Sequence, residues 1–387
     1  MSNQRAACIS ENILIVDDTP ANLRLLSQML AEQGYGVRAA TSGPRALASA
    51  RAAPPDLILL DIKMPGMNGY EVCEHLKADP LTRDIPVIFI SALHEIQDKV
   101  QAFAVGGVDY IAKPFQLREV LARTETHLSL RSLQKQLRDA NSRMEQELSL
   151  AGRVQSSFLP GELPAPTGWQ FSAALKPARQ TSGDFYDTIS LPDGRLGLVV
   201  ADVVDKGVGA ALFMTLSWIL IRSYAMEHPS APERVLRAVN DRILAEIDTG
   251  QFVTVFYGIL DPATGTLTYC NAGHPPPYLF STQGDDEPMP LTRTGMALGV
   301  TEAETWERAT AHLAPGDVLI LYSDGVTDAV SGEGVSFGDE RLRASVENSL
   351  PQSAESILDA LLARVQDFAH GSILVDDITL MIAIREP

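Results

Sequence analysis

The chain has 387 residues, a hydrophobic fraction of 45% and a formal net charge of −18. A chain of this length and ordinary apolar content is expected to form two or three domains, each with its own core. The acidic balance argues against nucleic acid as a partner, because phosphate backbones bind basic surfaces. No uncharged apolar run reaches the roughly 18 residues of a membrane span, and no N-terminal leader pattern is present, so we expect a cytoplasmic protein that neither enters nor crosses a membrane.

The first third of the chain alternates short apolar runs with helical patterns. The apolar runs are Ile13–Val16, Leu57–Leu60, Val87–Ile90 and Val108–Ile111. This repetition predicts an α/β fold of the (βα)5 kind, with a parallel sheet between two layers of helices. Sites in such sheets lie at the carboxyl ends of the strands. The polar residues that follow the four runs are Asp17 and Asp18, Asp61, Ser91 and Lys113.

This constellation resembles the response-regulator receiver domain. The matching segments are Asp17-Asp18, Asp61 with Met64-Pro65-Gly66-Met67-Asn68-Gly69, Ser91-Ala92 and Lys113-Pro114-Phe115. The resemblance implies a receiver over residues 11–128 that accepts a phosphoryl group on Asp61 from a cognate histidine kinase. It also implies one Mg²⁺ ion held by Asp17, Asp18, Asp61 and the carbonyl of Lys63, with Ser91 and Lys113 on the phosphoryl oxygens.

These residue types suit phosphoryl transfer to a carboxylate. The attacking carboxylate approaches a dianion, so a hard cation and a lysine are needed to neutralise the accumulating charge. We expect the Lys113–Pro114 bond to be cis. Tyr110 lies just before that bond and is either a switch aromatic that rotates when Ser91 moves or a half-buried strand tyrosine. The sequence leaves open which kinase acts and whether phosphorylation activates or inhibits.

A long connecting segment follows the receiver-like region. Neither glycine nor proline occurs between Phe115 and Gly152. Apolar residues recur there at steps of three and four, interrupted by Glu147; they are Leu130, Leu133, Leu137, Ala140, Met144, Ala151, Val154 and Phe158. This heptad-like pattern predicts a long helix with a coiled-coil seam over residues 129–159, ending near Pro160. We favour a parallel homodimer; the alternative is a single amphipathic helix packed on its own domains.

The remaining region, residues 160–387, mixes strands with grouped helices. The predicted strands are Trp169–Lys176, Gly183–Leu191, Arg195–Asp202, Phe252–Leu260, Thr266–Asn271, Val318–Ser323 and Ile378–Ile384, and the predicted helices are Val208–Met226 and Ala231–Ile247. This order favours an α+β sandwich. One strand ends at Asp202 and is followed by Gly207 and Gly209. A carboxylate in that position is suited to hold a metal ion near a phosphate.

Four acidic clusters in this region resemble the metal-dependent Ser/Thr protein phosphatase family, in its branch of stage-II-sporulation-E proteins and anti-sigma regulators. The matching segments are Val154-Gln155 with Phe158-Leu159-Pro160, Ser182–Asp187, Asp202-Val203 with Lys206-Gly207 and Ala210-Ala211-Leu212, Asn271–Pro276, Leu321–Asp328 and Asp376–Thr379. The resemblance implies an αββα sandwich with two Mn²⁺ or Mg²⁺ ions between its sheets.

By the same resemblance, Asp202 bridges the two ions. Asp184 and the carbonyl of Val203 support the first ion, and Asp324 and Asp376 hold the second. Oxygen ligands suit Mg²⁺ and Mn²⁺ rather than zinc, and two such ions about 4 Å apart lower the pKa of a bridging water and bind phosphate oxygens. The choice between the two metals stays open, as does the choice between Asp376 and its neighbour Asp377.

Two further residues of this region are single basic groups. Arg179 either grips the substrate phosphate, as a planar bidentate donor can, or is a surface arginine. His274, in a Gly-His-Pro-Pro turn, is expected to be structural.

The two resemblances together imply a response regulator whose output is a protein serine/threonine phosphatase. The implied substrate is a phosphorylated anti-sigma-factor antagonist. The alternative is a catalytically silent, phosphatase-like adaptor that binds a sigma-factor regulator. A DNA-binding regulator is disfavoured by the acidic charge and by the lack of a helix-turn-helix pattern.

Overall fold

The computed structural model describes residues 11–91, 96–246, 250–281, 287–369 and 375–387. The chain divides into two compact units, one ending at Ser142 and the other beginning at Arg143. The domain limits predicted from the sequence, 11–128, 129–159 and 160–387, stay predictions.

The first unit contains a parallel sheet of five strands in the order β2-β1-β3-β4-β5. The strands are β1 (Asn12–Val16), β2 (Gly36–Ala40), β3 (Leu57–Asp61), β4 (Val87–Ser91) and β5 (Asp109–Ala112), and the helices are α1 (Pro20–Ala31), α2 (Gly43–Ala52), α3 (Gly69–Ala78), α4 (Ile96–Ala104) and α5 (Leu117–Ser156). Successive side chains of β1 point to opposite faces, so Leu14 and Ile15 belong to two different cores. The predicted (βα)5 fold is confirmed.

Helix α5 is a single helix of 40 residues that ends at Ser156. Val120 and Leu128, near its start, belong to a core of the first unit. Several side chains of the predicted seam are exposed, among them Leu133 (62%), Leu137 (72%) and Met144 (56%). The long connecting helix is therefore confirmed, and its apolar seam is open to solvent in the single chain.

The second unit is built on two antiparallel sheets. Their strand orders are β13-β10-β9-β8-β7 and β12-β11-β14-β15-β6. The strands are β6 (Trp169–Lys176), β7 (Phe185–Ser190), β8 (Leu196–Val203), β9 (Val253–Asp261), β10 (Thr266–Ala272), β11 (Tyr278–Phe280), β12 (Met289–Pro290), β13 (Ala309–His312), β14 (Val318–Tyr322) and β15 (Ile378–Arg385). The helices are α6 (Val208–Glu227), α7 (Pro232–Glu246), α8 (Asp324–Thr327), α9 (Gly338–Glu347) and α10 (Ala354–Phe368), and a short 3₁₀ turn spans Pro192–Gly194.

Three apolar cores show how these elements are layered. Helices α6 and α7 pack on the first sheet, where Phe213 and Val239 join Val199. A second core lies between the sheets, and a third joins α9 and α10 to the second sheet. Each sheet therefore has one face against its helices and one against the other sheet, because its strands alternate apolar side chains on both faces. This is the expected αββα sandwich.

In the described part of the chain, α6 is the one helix long and apolar enough to cross a membrane by length and composition. Buried residues make up 33% of its most apolar window. Core helices of globular domains pass the same test, and α6 carries Phe213, Met214 and Ile221 into the first core. The helix is therefore weak evidence for a membrane span.

Candidate active sites

Three aspartates of the first unit form a compact acidic cluster. Asp17, Asp18 and Asp61 each offer a carboxylate oxygen, and these oxygens lie within 4.8 Å of one another. Asp17 follows β1 and Asp61 ends β3, its neighbour in the sheet, so the parallel register brings the two side chains together. Lys113 Nζ contacts Asp17 Oδ2 at 2.9 Å and Asp61 Oδ2 at 2.8 Å.

The charges of this cluster are partly balanced within the protein. Burial raises the pKa of Asp61, and the hydrogen bond and charge of Lys113 lower it again in part. Burial by itself would lower the pKa of Lys113, but its bonds to Asp61 and Asp17 outweigh this and leave that pKa raised. A charged lysine therefore faces the carboxylates.

The other predicted receiver residues surround this cluster. Ser91 ends β4, which pairs with the strand that carries Asp61. Lys113 follows β5, which pairs with the opposite edge of β4. The backbone N–H of Lys63 donates to the Asp61 carboxylate. Tyr110 is half-buried, with the Arg123 guanidinium 5.5 Å from its ring centre. The Lys113–Pro114 bond is cis, as expected.

Sequence reasoning missed one polar partner of this site, Asn22 in the first turn of α1. Its Nδ2 donates to both carboxylate oxygens of Asp17, at 3.0 and 2.9 Å. The Thr19 N–H donates to the same carboxylate at 2.8 Å. The sequence signal that could have identified Asn22 is its position about one helical turn after the pair Asp17-Asp18.

The acidic residues of the second unit come from both sheets. Asp184 precedes β7 and Asp202 lies in β8, on the first sheet. Asp324 opens α8 directly after β14, and Asp376 precedes β15, on the second sheet. These four residues are far apart in the sequence, and two of them, Asp202 from the first sheet and Asp324 from the second, line the same cavity.

Their electrostatics show that these four carboxylates act on one another. Burial raises the pKa of Asp184 far above its usual range, and the charge of Asp202 raises it further. Burial raises the pKa of Asp202 to about 7; a hydrogen bond with the Asp184 carboxyl lowers it in part, and the charges of Asp324 and Asp376 raise it. Burial and then the charge of Asp376 raise the pKa of Asp324. The cluster is therefore short of positive charge.

Asp376 and Asp377 differ in their surroundings. Asp377 is 6% exposed and accepts hydrogen bonds from the backbone of Ala178 at 2.7 Å and of Gly183 at 2.8 Å, and from the Ser182 hydroxyl at 2.8 Å. Both of its oxygens are thus engaged in holding the loop that leads to Asp184. The Asp376 carboxylate instead contacts Lys206 Nζ at 2.8 Å, in a pair about one-third exposed (31% and 35%).

Close backbone approach explains two glycines of this site. A Cβ added at Gly325 would lie 2.0 Å from the carbonyl oxygen of Asp377, so only glycine fits there. A Cβ at Gly183 would lie 3.1 Å from the carbonyl oxygen of Val203. The Val203 carbonyl is therefore next to the turn that carries Asp184.

Two hydroxyl groups that sequence reasoning left without a role, those of Thr379 and Ser323 on the second sheet, hydrogen-bond the Asp184 carboxyl of the first. The Thr379 hydroxyl on β15 donates to Asp184 Oδ2 at 2.7 Å. The Thr379 N–H donates to Ser323 Oγ at 2.9 Å. The motifs that contain them were visible in the sequence, but their contacts were not.

The end of α5 rests on the same loop within the second unit. Gln155 donates to the Ser182 carbonyl at 2.6 Å and accepts from the Ser182 N–H at 2.9 Å. A Cβ at Gly152 would lie 1.9 Å from the Gln180 carbonyl oxygen, so the helix and the loop touch at this glycine. The helix end therefore contacts the residues that directly precede Asp184.

The two single basic residues have different environments. His274 is 3% exposed, and its Nδ1 lies 3.0 Å from Thr254 Oγ1. Burial lowers the pKa of His274 to about 3, although the Tyr322 backbone raises it in part, so the ring is neutral. This agrees with a structural histidine. Arg179 is exposed and follows Ala178, whose N–H binds Asp377; its role stays a prediction.

An open cavity of about 420 Å³ adjoins the second cluster. Asp202 and Asp324 both line it. Its other walls include the turn Gly273–Pro276 and residues Thr292 and Arg293. Through this cavity the partly exposed Asp202 and Asp324 can be reached from solvent.

Comparison with known proteins places both units. Residues 192–386 match the family model "Stage II sporulation protein E (SpoIIE)". The chain belongs to this family. Residues 13–125 match the model "Response regulator receiver domain". The chain is thus a receiver domain followed by a SpoIIE-family domain, as the motifs indicated.

Several relatives support this assignment. Protein IcfG of Synechocystis is 35% identical over 276 residues, which cover 65% of this chain but only 43% of IcfG. Phosphoserine phosphatase RsbU of Bacillus subtilis is 30% identical over 273 residues, which cover 68% of this chain and 75% of RsbU. The chain therefore spans less than half of IcfG and three-quarters of RsbU.

The fold of the second unit also has a solved counterpart. The SiaA-PP2C domain of Pseudomonas aeruginosa superimposes with a TM-score of 0.56 at 22% identity, covering 64% of this chain and 99% of that domain. At this identity the match establishes the shared fold.

Proposed function

We propose that this chain is a two-component response regulator whose second unit removes phosphoryl groups from phosphoserine or phosphothreonine on a protein. The observation that carries the proposal is that Asp184, Asp202, Asp324 and Asp376, which come from both sheets, act electrostatically on one another. The printed name of RsbU, a phosphoserine phosphatase, supports the same reaction.

The residues present fit two divalent cations. Three of these carboxyl groups have raised pKa values, and the cluster contacts a lysine only at Asp376 among the described residues, so the electrostatic balance favours added positive charge. The donor set consists of carboxylates and a backbone carbonyl, which Mg²⁺ and Mn²⁺ prefer. Asp202 would contribute to both cation sites. Asp184 and the Val203 carbonyl would support one ion, and Asp324 and Asp376 would hold the other. Such ions supply a water of lowered pKa and stabilise phosphoryl oxygens.

The surrounding residues of the chain hold this arrangement in place. Thr379 fixes the Asp184 carboxylate, and Asp377 fixes the loop before it. We therefore assign Asp377 a positioning role and Asp376 the role of a direct ligand. Asp184 and Asp202 remain our candidates for the catalytic carboxylates, and Arg179 our candidate for an additional phosphate contact.

We further propose that Asp61 is the phosphorylated residue of the receiver, with Mg²⁺ on Asp17, Asp18, Asp61 and the Lys63 carbonyl, and with Ser91 and Lys113 on the phosphoryl oxygens. Tyr110 is our candidate switch residue. The test is incubation with acetyl phosphate and Mg²⁺ followed by mapping of the adduct. We expect labelling in the wild-type chain and none in Asp61→Asn; undiminished labelling of the variant would refute the assignment.

The proposed substrate is a phosphorylated anti-sigma-factor antagonist, on the basis of the family resemblance. The direct test is phosphate release from such an antagonist, purified in its phosphoserine form, with Mn²⁺ and with the receiver phosphorylated or not. Release that depends on Mn²⁺ supports the proposal. A folded, metal-loaded protein that binds the antagonist without releasing phosphate would favour the adaptor function instead.

The seam of α5 supports a homodimer, because exposed leucines at heptad spacing are stabilised by a second helix. We propose that phosphorylation acts on the phosphatase unit through this helix, whose end contacts the Ser182 loop. Light scattering should give a dimer for the wild-type chain and a monomer for Leu133→Glu/Leu137→Glu. The matched control is Ser132→Glu/Ser142→Glu, which adds the same charge at exposed positions away from the seam and from the positions that flank it. A monomeric wild-type chain in both phosphorylation states contradicts the dimer.

A further inference from the structure

The cavity beside Asp202 and Asp324 is lined by a basic side chain that belongs to none of the matching sequence segments. Arg293 lines this cavity of about 420 Å³, together with Thr292 and the Gly273–Pro276 turn. Apart from the buried His274, it is the basic residue of the cavity wall. Arg179, in contrast, is not among the residues that line the cavity.

The backbone that carries Arg293 is held by one buried residue, Asn271. Its Nδ2 donates to the Leu291 carbonyl at 3.2 Å, and its backbone carbonyl accepts from the Thr294 N–H at 2.9 Å. Its N–H donates to Thr294 Oγ1 at 3.0 Å. Its Oδ1 also accepts from the His274 N–H at 2.9 Å. Asn271 thus fixes both the turn and the segment on either side of Arg293.

The guanidinium itself lies against the turn. A Cβ added at Gly273 would lie 3.3 Å from Arg293 Nη2, and Gly273 has a φ of +77°. The positive φ explains the glycine, and the 3.3 Å distance places the guanidinium beside it. Among the residues that the structure describes, no carboxylate oxygen lies within the 4.0 Å ion-pair distance of Arg293. Arg293 therefore lines the cavity without an acidic partner from that part of the chain.

We propose that Arg293 forms an anion-binding subsite beside the carboxylate cluster and binds anionic oxygens of the substrate. This inference rests on the proposed phosphatase function and adds a recognition residue to it. An arginine presents donors in a planar fork that matches phosphoryl or carboxylate oxygens. The oxygens belong either to the scissile phosphoryl group or to an acidic side chain next to the phosphorylated residue.

The test compares Arg293→Ala and Arg293→Lys with the wild-type full chain in Mn²⁺. The substrates are p-nitrophenyl phosphate, a phosphoserine peptide flanked by alanines and the same peptide flanked by aspartates. We expect kcat/KM to fall by about 10- to 100-fold in the alanine variant, the effect of losing a charge-assisted bidentate contact. The Arg293→Lys variant should recover only part of the lost kcat/KM, because lysine lacks the planar fork of donors.

The pattern of losses separates the two sources of the anion. If Arg293 binds the phosphoryl group, kcat/KM of the alanine variant falls by the same factor for all three substrates, and inhibition by inorganic phosphate weakens by a similar factor. If Arg293 binds a flanking carboxylate, kcat/KM falls only for the aspartate-flanked peptide. Unchanged kinetics on all three substrates, with unchanged inhibition by phosphate, overturn the proposal.

Two controls separate this inference from a general structural effect. Arg242→Ala removes an exposed arginine on α7 that pairs with Glu246, and should leave all rates unchanged. The Mn²⁺ affinity of Arg293→Ala, measured by calorimetry, should equal that of the wild type; a tenfold loss would show that Arg293 supports the metal cluster and would overturn the subsite. If the wild-type chain shows no turnover, the phosphatase proposal fails, and calorimetric binding of inorganic phosphate to the Mn²⁺-loaded proteins still tests Arg293.

Discussion

The receiver and the second unit, here called the phosphatase unit after its proposed function, both gather aspartates, and they differ in the basic group that faces them. In the receiver, Lys113 contacts Asp17 at 2.9 Å and Asp61 at 2.8 Å from a position only 21% exposed. In the phosphatase unit, Lys206 contacts Asp376 at the solvent-exposed rim. Within the described ranges, no ion pair reaches Asp184 or Asp202.

This difference suggests how each site would respond to a divalent cation. The receiver cluster carries an internal counter-charge, so a cation adds to an arrangement that is already partly balanced. The phosphatase cluster has buried carboxyl groups that repel one another, and the pKa of Asp202 is raised to about 7, first by burial. We therefore expect the phosphatase unit to depend on divalent cations for stability as well as for activity.

The largest effect is expected from Asp202→Ala, which removes the carboxylate shared by the phosphatase cluster. Activity toward p-nitrophenyl phosphate should fall by about 10³-fold, because metal-ion stabilisation of the transition state contributes several kcal/mol. The matched control is Asp205→Asn on the same loop, where an exposed carboxylate accepts a hydrogen bond from the Lys206 N–H at 2.9 Å. If Asp202→Ala keeps wild-type activity, the acidic cluster of the phosphatase unit is not the catalytic site.

The next effect concerns the receiver, where Lys113→Ala deletes the internal counter-charge. Asp17 and Asp61 are then buried without a cation, so the free energy of unfolding of the receiver in EDTA should fall by about 1–3 kcal/mol, the cost of leaving a buried polar group unsatisfied. Mg²⁺ should restore part of this loss. Denaturation of the full chain, followed by hydrogen exchange of receiver peptides, measures it, and the exposed Lys135→Ala on α5 is the control. Unchanged receiver stability in EDTA would mean that the lysine does not balance these carboxylates.

The smallest effect is a pH dependence of the metal-free phosphatase unit. The pKa of Asp202, about 7 when folded, exceeds the unfolded value of about 3.9, so the folded state binds more protons between these limits. Stability from this group is therefore lost as pH rises from about 4 to about 7 and is level above that. Asp187, whose pKa is raised to about 6 chiefly by burial, acts in the same direction.

Differential scanning fluorimetry in EDTA should show a Tm a few degrees lower at about pH 7.5 than at about pH 5.5. Asp202→Asn should show a smaller difference, which isolates this group from Asp187. Mn²⁺ at the higher pH should raise the Tm of the wild-type chain. A metal-free Tm that increases with pH would contradict the charge shortage inferred for the phosphatase cluster.

Local patterns were enough to find most of the fold. The apolar alternation of Trp169–Lys176 predicted β6 with the bounds that the structure has. The heptad pattern predicted the end of α5 to within a few residues of Ser156, but it placed the start at residue 129, whereas the helix begins at Leu117. Strands β2, β11, β12 and β13 were not predicted; β12 has only 2 residues, and β2 is mostly half-buried, so their periodic signal is weak.

The candidate sites divide in the same way. Motifs identified the acidic residues, because strand ends and following glycines are local features. They could not choose between Asp376 and Asp377, since the hydrogen bonds that engage Asp377 come from Ala178 and Gly183, 199 and 194 residues away. They also missed Asn22 and Arg293, which belong to no motif.

The sequence by itself determined the kinds of elements, their order and the chemical type of each site, because periodicity and strand-end residues depend on neighbours along the chain. The tertiary structure alone decided which carboxylates face one another, which is locked by backbone N–H groups and which basic side chain enters the cavity. Those features depend on the packing of two sheets whose contacting residues, such as Asp184 and Thr379, lie 195 positions apart. The direction of a side chain is fixed only when both sheets have packed.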